Sequence, residues 1–284
     1  MKSSQFQPEK RKLMIVAIVG LIAATVLISS FLRSAENSFF CSLAGSRARD
    51  ISDYSATPIQ LHAIFHYATS KTVPQQTRAE ITVSFNVLKD KAPLNFLVFG
   101  LGYDSMMWNS LNPHGNTLFL EEDPKWVQHV LKDAPTLKAH AVQYRTQLFE
   151  ADHLLSTYKS EPNCRASKAY IRGNIECKLA LTGLPDEVYD IEWDMIMIDA
   201  PRGYFREAPG RMGAIFSAAV MARQRKGSGV THVFLHDVDR RVEKVFAKEF
   251  LCRKYLKHSV GRLWHFEIPS VANSSDVANN DSFC

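Results

Sequence analysis

Three polar residues follow two apolar segments of the sequence, at the points where buried strands would end. Asp199 comes directly after Asp194–Ile198, and His236 and Asp237 follow Thr231–Leu235. Both segments are short and unbroken, as is typical of strands buried on both faces of a parallel sheet. Because the carboxyl ends of such strands lie at one edge, where ligands bind, we expect these three side chains to share one crevice.

This trio is suited to two kinds of chemistry on a hydroxyl group. In the first, His236 is a general base, and a carboxylate orients it or takes the proton itself. In the second, Asp199 and Asp237 are ligands of a divalent cation, which lowers the pKa of a bound hydroxyl. Loop hydrogen bonding or helix capping is the purely structural alternative. We predict Asp199, His236 and Asp237 as catalytic residues, with Asp199 and Asp237 as candidate metal ligands.

A glycine motif follows the first apolar segment of this kind, Asn95–Phe99. Gly100 and Gly102 permit a tight turn and a close approach of a ligand to the backbone before a helix begins. The dinucleotide fingerprint requires a third glycine beside the pyrophosphate, and Ser105 stands at that position. S-adenosylmethionine has no pyrophosphate, so the motif suits it better than a nicotinamide dinucleotide. A structural turn is the alternative.

Acidic residues follow the next apolar segment, Thr117–Leu120. An acid about twenty positions beyond the glycines can accept hydrogen bonds from ribose hydroxyls, and Glu121 or Glu122 fits this role. Asp123 and Pro124 have the types expected of an N-cap and a first helical residue. The alternative is that all the acids only complement a helix N-terminus. The predicted cofactor is S-adenosylmethionine, and the predicted cofactor-binding residues are Gly100, Gly102, Glu121 and Glu122.

Three arginines cluster shortly after Asp199, and we predict that they bind substrate together with an aromatic residue. Guanidinium groups bind carboxylates with two parallel hydrogen bonds, so an acidic acceptor such as a uronic acid is expected. A solvated charge run is the alternative, and the aromatic ring either stacks on a sugar or belongs to the core. The predicted substrate-binding residues are Arg202, Tyr204, Arg206 and Arg211.

The elements that must position these residues alternate between strand and helix patterns from Leu94 onward. The strand segments are Asn95–Phe99, Thr117–Leu120, Ala139–Tyr144, Asp194–Ile198 and Thr231–Leu235. Two further strand segments, separated by little more than Gly261, predict an antiparallel hairpin: Tyr255–Val260 and Arg262–Ile268. We therefore predict an α/β fold, a Rossmann-like S-adenosylmethionine-dependent methyltransferase sheet with parallel strands and a terminal antiparallel hairpin.

The first residues of the chain predict a membrane anchor. Leu13–Leu32 is uncharged and long enough to span the roughly 30 Å hydrocarbon layer as a helix. The cations Lys10, Arg11 and Lys12 precede it, which keeps the N-terminus cytosolic. A cleaved signal peptide is the alternative, disfavoured by the length of the apolar segment. The predicted parts are a cytosolic tail at 1–12, an anchor at 13–32, a stem at 33–56, a lumenal domain at 57–270 and a disordered tail at 271–284.

The net charge of +5 is concentrated at the N-terminus. Residues 1–12 carry four cations against one acid, or +3, and +2 remains for all the others. The charge is therefore mainly a topology signal, and we predict no nucleic-acid partner.

The five cysteines acquire significance if the domain is lumenal, because that compartment permits disulfides. A bridge between Cys164 and Cys177 would close a short loop. The other three, Cys41, Cys252 and Cys284, leave an odd thiol. The alternative is that all five are free.

Long motifs give the chain a specific resemblance from about residue 94 to residue 269. They include NFLVFGLGYDSMMWNSLNP, FLEEDP, APTLKAHAVQYRTQL, DMIMIDAPRGYFREAPGRMGAIFSAAVMARQRKG and THVFLHDVDRRVEK. With these motifs the sequence resembles the plant glucuronoxylan 4-O-methyltransferase family. The resemblance implies a single-pass type II protein of the Golgi membrane that methylates O-4 of glucuronic acid on glucuronoxylan, using S-adenosylmethionine. Tyr103 departs from the family motif, which has a histidine there.

The resemblance leaves other functions open. Some members act on glucuronic acid of arabinogalactan, another wall polysaccharide. A non-catalytic scaffold associated with xylan-synthesising proteins is a second class of function. A nicotinamide oxidoreductase is a third, disfavoured by Ser105 and by the terminal hairpin.

Overall fold

The computed structural model describes residues 56–270 and 282–284. Its strands are β1 (Asn95–Phe99), β2 (Asn116–Glu121), β3 (Lys138–Ala141), β4 (Met195–Ile198), β5 (Val230–Leu235), β6 (Leu256–Val260) and β7 (Leu263–Pro269). They form one sheet in the order β3-β2-β1-β4-β5-β7-β6. The first five strands are parallel, and β7 runs antiparallel to both β5 and β6. The strand order reverses between β1 and β4, which creates a crevice at the carboxyl ends of these two strands.

The helices are α1 (Pro58–Thr69), α2 (Arg78–Lys91), α3 (Ser105–Ser110), α4 (Pro124–Asp133), α5 (Ala151–Thr157), α6 (Asp186–Asp190), α7 (Met212–Gln224) and α8 (Arg241–Phe246). A π-helical segment, Ala247–Cys252, continues α8. Thr57 and Thr77 begin α1 and α2, each with a capping box that satisfies backbone N–H groups at the helix start. The segment between these two helices reaches the carboxyl edge of the sheet, where it contributes Gln76 to the site described below.

Apolar side chains cover both faces of the sheet. Leu97 and Ile196 belong to one buried cluster together with α7, whereas Phe96 and Met195 belong to a second cluster on the other face. Most of α7 is buried because small residues line it: a Cβ on Gly213 would lie 3.1 Å from Leu181. Burial on both faces explains why the strand segments read as unbroken apolar runs.

The predicted α/β sheet and its terminal antiparallel hairpin are confirmed. The third strand is shorter than predicted, ending at Ala141 rather than Tyr144. It is an edge strand that pairs only with β2, and its last partner, Glu121, is the final residue of β2. Beyond Ala141 the backbone therefore has no strand beside it.

The N-terminal predictions lie outside the described residues, including the cytosolic tail, the anchor at 13–32 and the stem. No helix within residues 56–270 is long and apolar enough to cross a membrane.

The last residues differ from the predicted disordered tail. Phe283 is buried against Phe216 and Phe250, and Cys284 forms a disulfide with Cys252. The sequence of residues 271–284 is mostly polar, so the burial of Phe283 was not predicted. Phe283 packs beside α7 because the adjacent disulfide holds it there. The bridge proposed between Cys164 and Cys177 is also present.

A pair of buried histidines lies where β5 meets β7. The Nδ1 atom of His232 and the Nε2 atom of His265 are 3.0 Å apart, and both side chains are almost inaccessible to solvent. Their ring planes differ by 23°, and the distance between the two nitrogens fits a hydrogen bond from one ring to the other. Burial lowers the pKa of His232 to about 4, and burial with neighbouring His232, His258 and Lys257 lowers that of His265 to about 3.

We predict that acid destabilises the domain through this pair. Below pH 6.5 the unfolded chain protonates both rings while the folded chain does not, so stability falls as the pH drops. The loss between pH 7 and pH 5.5 is about 2 kcal/mol for the pair, measured by urea unfolding. His265→Phe, whose ring still stacks on Phe234, should lose roughly half of that sensitivity. His62→Gln, at an exposed position, is the matched control, and equal pH dependence in both variants would contradict the prediction.

Candidate active site

A cavity of about 460 Å³ opens at the carboxyl ends of β1, β2, β4 and β5. Its walls come from residues 100–105, 121–123, 199–202 and 73–75, together with Tyr204, Arg211, Asp237 and Arg240. The volume lies within the usual range for a small-molecule site. The sheet topology thus brings the predicted site residues to one cavity, except His236 and Arg206, which do not line it.

The glycine loop is fixed from several sides. Gly100 has a φ of +131°, and a Cβ there would lie 3.2 Å from the Cβ of Ala200, so this position requires glycine. The Ser105 hydroxyl accepts the Gly102 N–H at 2.9 Å, which shows what the serine does in place of a third glycine. From α4, the Trp126 indole N–H donates to the Leu101 carbonyl at 2.6 Å.

Helix α1 braces the far side of the same loop. The Tyr67 hydroxyl donates to the Tyr103 carbonyl at 2.6 Å and accepts the Met107 N–H at 3.1 Å. Burial raises the pKa of Tyr67 to about 12, so the hydroxyl keeps its proton and can donate. Hydrogen bonds from α1 and α4 therefore fix the conformation of the glycine loop.

The two predicted ribose-binding acids have different surroundings. Glu121 is buried at the end of β2, and its two oxygens accept the Leu101 and Asp123 N–H groups, each at 3.1 Å. Burial raises its pKa, although these bonds counteract the effect. Each oxygen retains a lone pair for a ligand. Glu122 instead accepts two hydrogen bonds from Arg202, from its backbone N–H at 3.1 Å and from Nε at 2.5 Å. Of the two acids, Glu121 is therefore the one whose carboxylate is not already paired with a cation in the described part of the chain.

Asp199 faces the cavity from the end of β4. Its Oδ1 atom is 2.8 Å from Nδ1 of His236, and its Oδ2 atom accepts a hydrogen bond from Nε2 of Gln76 at 3.1 Å. Burial alone would raise the pKa of this carboxyl, but His236, Arg211 and Gln76 together lower it well below its usual range. Asp199 is thus an oriented, ionised carboxylate at the cavity wall.

His236 lies behind Asp199 and has no solvent-exposed surface. Its Nε2 atom makes no hydrogen bond within the described chain and lies 3.8 Å from a carboxylate oxygen of Glu80, another buried residue. Burial would raise the pKa of Glu80, but the N–H groups of Thr77 and Arg262 lower it, so this carboxyl is ionised. This geometry makes His236 a residue that positions Asp199 rather than one that touches a substrate.

Asp237 is surrounded by guanidinium groups. Its oxygens lie 2.8 Å from Arg211, 3.0 Å from Arg240 and 2.6 Å from Arg262. Its backbone has a φ of +59°, a left-handed conformation that aspartate tolerates better than most residues. With three guanidinium groups against its two oxygens, Asp237 organises charge around the cavity and is a poor choice of base.

The predicted metal site does not suit a cation. Ligand atoms of Asp199, His236 and Asp237 do lie within 4.8 Å of one another. However, the Arg211 guanidinium lies 3.5 Å from Asp199 and 2.8 Å from Asp237 and already supplies the positive charge between them. A divalent ion would have to displace that side chain, so no step of the chemistry proposed below involves a metal.

The predicted substrate-binding residues separate into three groups. Arg202 and Tyr204 line the cavity and are exposed. Arg206 lies elsewhere, with its guanidinium over the ring of Phe149. Arg211 is 4% exposed and donates to the backbone carbonyls of residues 199, 201 and 236 as well as to Asp237. Arg206 is thus placed away from the cavity, and Arg211 is a structural residue.

Three polar residues of the site were not identified from the sequence: Gln76, Asp104 and Arg240. Gln76 comes from a loop that precedes the sheet, and nothing in its local sequence marks it. Asp104 and Arg240 were detectable, since each lies within five residues of a predicted site residue and follows a strand end.

We predict that Arg211 stabilises the fold more than Arg206 does. Arg211→Met removes the links between the ends of β4 and β5 and leaves buried carboxylates under-compensated, at a cost of about 3 kcal/mol in the free energy of unfolding. Arg206→Met, the matched control at an exposed position, should change it by about 0.5 kcal/mol or less. Urea titrations of both variants measure the difference, and equal losses would show that Arg211 does not hold the strand ends together.

Comparisons with known proteins identify the family of the chain. The sequence profile of the IRX15/IRX15L/GXM family matches residues 79–266. Arabinogalactan O-methyltransferase 2 of Arabidopsis thaliana is 64% identical over 271 residues, which cover 95% of this chain and 93% of that protein. Glucuronoxylan 4-O-methyltransferase 1 of the same plant is 50% identical over 224 residues, or 78% of each chain.

A solved structure with a similar chain is a putative caffeoyl-CoA O-methyltransferase from Staphylococcus aureus. It has a TM-score of 0.40 and 11% identity, covering 80% of this chain and 100% of that one, and similarity at this level says nothing about activity. The sequence relatives matter more. Of these two relatives, the arabinogalactan O-methyltransferase is more similar in sequence than the glucuronoxylan 4-O-methyltransferase. With a profile match over most of its length and relatives of this identity, the chain belongs to the IRX15/IRX15L/GXM family.

Proposed function

We propose that the protein transfers a methyl group from S-adenosylmethionine to a hydroxyl of glucuronic acid on arabinogalactan. The observation that carries this proposal is the cavity between β1 and β4, where a glycine loop and Glu121 face an ionised Asp199. The acceptor follows from the 64% identity to an arabinogalactan O-methyltransferase. Glucuronoxylan is the second candidate acceptor, favoured by 50% identity to an enzyme named for it.

The residues present suit S-adenosylmethionine as the donor. Gly100 and Gly102 line the cavity without side chains, which allows a ligand to approach the backbone, and Glu121 is held so that its free lone pairs can accept ribose hydroxyls. When bound, this donor supplies a methyl group on a positively charged sulfonium. The protein's own task is to bind the donor, exclude water and orient an acceptor hydroxyl.

Asp199 is the residue placed to orient that hydroxyl. Its carboxylate reaches the cavity while His236 and Gln76 fix both of its oxygens from behind. A carboxylate held ionised accepts a hydrogen bond from the hydroxyl and aligns its oxygen for in-line attack. Because its low pKa makes it a weak base, Asp199 aligns the hydroxyl first and takes the proton as the new bond forms. His236, bonded to the same carboxylate through Nδ1, limits its rotation.

The rim of the cavity has the charge and the aromatic surface to bind a uronic acid. Arg202 and Arg240 both line it, and the exposed ring of Tyr204 lies beside them. A guanidinium group binds a sugar carboxylate, and an aromatic face packs against the apolar side of a sugar ring. Arg202 is paired with Glu122, which fixes its position without burying it.

We also propose that the domain works on the lumenal side of the Golgi membrane, held by Leu13–Leu32 as a type II anchor. Two disulfides, Cys164–Cys177 and Cys252–Cys284, support an oxidising compartment. The cations that precede the apolar segment support the orientation.

We predict that the full-length protein in detergent transfers labelled methyl groups to arabinogalactan oligosaccharides with terminal glucuronic acid. Transfer to glucuronoxylo-oligosaccharides should be weaker, and NMR should locate the methyl group at O-4. The matched control acceptor has the carboxyl group reduced to an alcohol, and it should react poorly because the arginines lose their partner. A folded protein that binds S-adenosylmethionine but methylates neither acceptor would refute the proposal.

We predict that Asp199→Asn lowers kcat by roughly 100-fold to 10,000-fold, as expected for a group that handles a proton in the transition state. Binding of S-adenosylmethionine, measured by calorimetry, should change much less and shows that the variant is folded. Asp186→Asn, far more exposed and outside the cavity, is the control and should keep normal activity. An Asp199→Asn variant with an unchanged kcat would remove Asp199 from the mechanism.

A further inference from the structure

Asp104 precedes helix α3, but its side chain does not cap the helix. An aspartate at this position usually accepts hydrogen bonds from the first backbone N–H groups of its helix. Asp123 does so for α4, accepting the N–H groups of Lys125 and Trp126. Asp104 makes no such bond, and its carboxyl accepts the indole N–H of Trp108 at 2.9 Å instead. Its side chain therefore lines the cavity without accepting the first backbone N–H groups of the helix.

The surroundings of Asp104 lack a compensating cation. No arginine or lysine in the described part of the chain forms an ion pair with it. The charged and titratable groups that influence it are Asp199 at the end of β4, His236 at the end of β5 and Tyr67 on α1. Asp199 has its own cationic partner in Arg211, whereas Asp104 has only the neutral indole. The donor side of the cavity thus contains one carboxyl group without a counter-charge.

This lack of compensation is visible in the acidity of the group. Burial, and then the negative charge of Asp199, raises the pKa of Asp104 to about 6, although the Trp108 hydrogen bond and the nearby His236 oppose the shift. A bound cation beside the carboxyl would stabilise its charged form and so oppose the shift. The carboxyl of Asp104 therefore favours a positively charged ligand at this point of the cavity.

The sheet topology indicates which part of the donor would lie beside Asp104. Glu121, at the end of β2, and Asp199, at the end of β4, lie on opposite sides of β1, and Asp104 belongs to the loop that follows β1. A donor with its ribose at Glu121 extends across the glycine loop toward β4. S-adenosylmethionine has an amino-acid portion at that end, with an ammonium group that no other residue described above accounts for.

We infer that Asp104 binds the α-ammonium group of S-adenosylmethionine, at the end of the cavity away from Glu121. The inference rests on the proposed function and assigns the amino-acid end of the donor to a particular residue. A second role for the same carboxyl, as the base that removes the acceptor proton, makes a different prediction about binding. The test distinguishes the two.

The test is a calorimetric titration of the full-length protein with three ligands. S-adenosylmethionine and S-adenosylhomocysteine both have the ammonium group, and 5′-methylthioadenosine lacks the whole amino-acid portion. Asp104→Asn keeps the shape and the bond from Trp108 but removes the charge. We expect Kd to rise roughly tenfold to a hundredfold for the first two ligands, the range of a lost charge-assisted hydrogen bond, and to stay unchanged for the third. Asp90→Asn, at an exposed position on α2, is the matched control and should bind all three normally.

The pH dependence of S-adenosylmethionine binding is an independent test. With a pKa of about 6, Asp104 is mostly ionised at pH 7 and mostly protonated at pH 5, so wild-type affinity for S-adenosylmethionine should fall about tenfold over that range. Asp104→Asn should show little change, because asparagine does not titrate. Methylthioadenosine should bind wild type equally at both values, which controls for unfolding.

Three results would overturn the inference. Unchanged affinity of Asp104→Asn with a lower kcat would assign Asp104 to proton removal. Weaker S-adenosylmethionine binding with normal S-adenosylhomocysteine binding would mean that the carboxyl faces the sulfonium. An equal loss for methylthioadenosine would mean that the substitution damages the whole cavity. Failure of the wild type to bind any of the three ligands is a separate outcome and would refute the proposed function itself, together with this assignment.

Discussion

The buried guanidinium of Arg211 is the interaction on which the active edge of the sheet depends. It lies beneath the ends of β4 and β5, where it donates to carbonyls of both strands and to the carboxylate of Asp237. Buried carboxylates and carbonyls that converge without a cation would repel one another in a medium of low dielectric constant. One planar side chain with five N–H donors compensates them together, as a lysine could not. Asp199 can face the cavity as an anion because this charge lies behind it.

The acidic residues around the cavity have different roles because each has different partners. Asp199 is stabilised as an anion, and Asp237 is paired with arginines. Glu121 accepts backbone N–H groups, and Asp104 has no cationic partner among residues 56–270. Similar side chains thus have different chemistry within one cavity, because each has different neighbours. Proximity in the sequence does not decide the outcome: His236 and Asp237 are adjacent, yet one supports Asp199 and the other anchors three guanidinium groups.

Much of the fold was predictable because buried parallel strands leave a direct signal. Unbroken apolar segments located the parallel strands, and Gly261 located the hairpin. The positions of Gly100, Glu121 and Asp199 at the cavity followed from the rule that ligands bind at strand ends. Side-chain direction was not predictable in this way. Three arginines within ten residues have different surroundings because turns in an irregular segment point their side chains in different directions. Arg202 is exposed at the cavity, Arg206 stacks on Phe149, and Arg211 is buried. Gln76 and Phe283 reach their places through tertiary contacts that local sequence does not encode.

The close contact between Gly100 and Ala200 affects how such a cavity can diversify. The donor loop and the residue after Asp199 touch at a point where even one methyl group would be tight, so neither backbone can shift without the other. Inherited change at the base of the cavity is therefore costly and must occur in both loops together. The rim, where Tyr204 and Arg202 are open to solvent, has no such restriction. Substitutions at the rim can therefore accumulate one at a time while the base of the cavity remains the same.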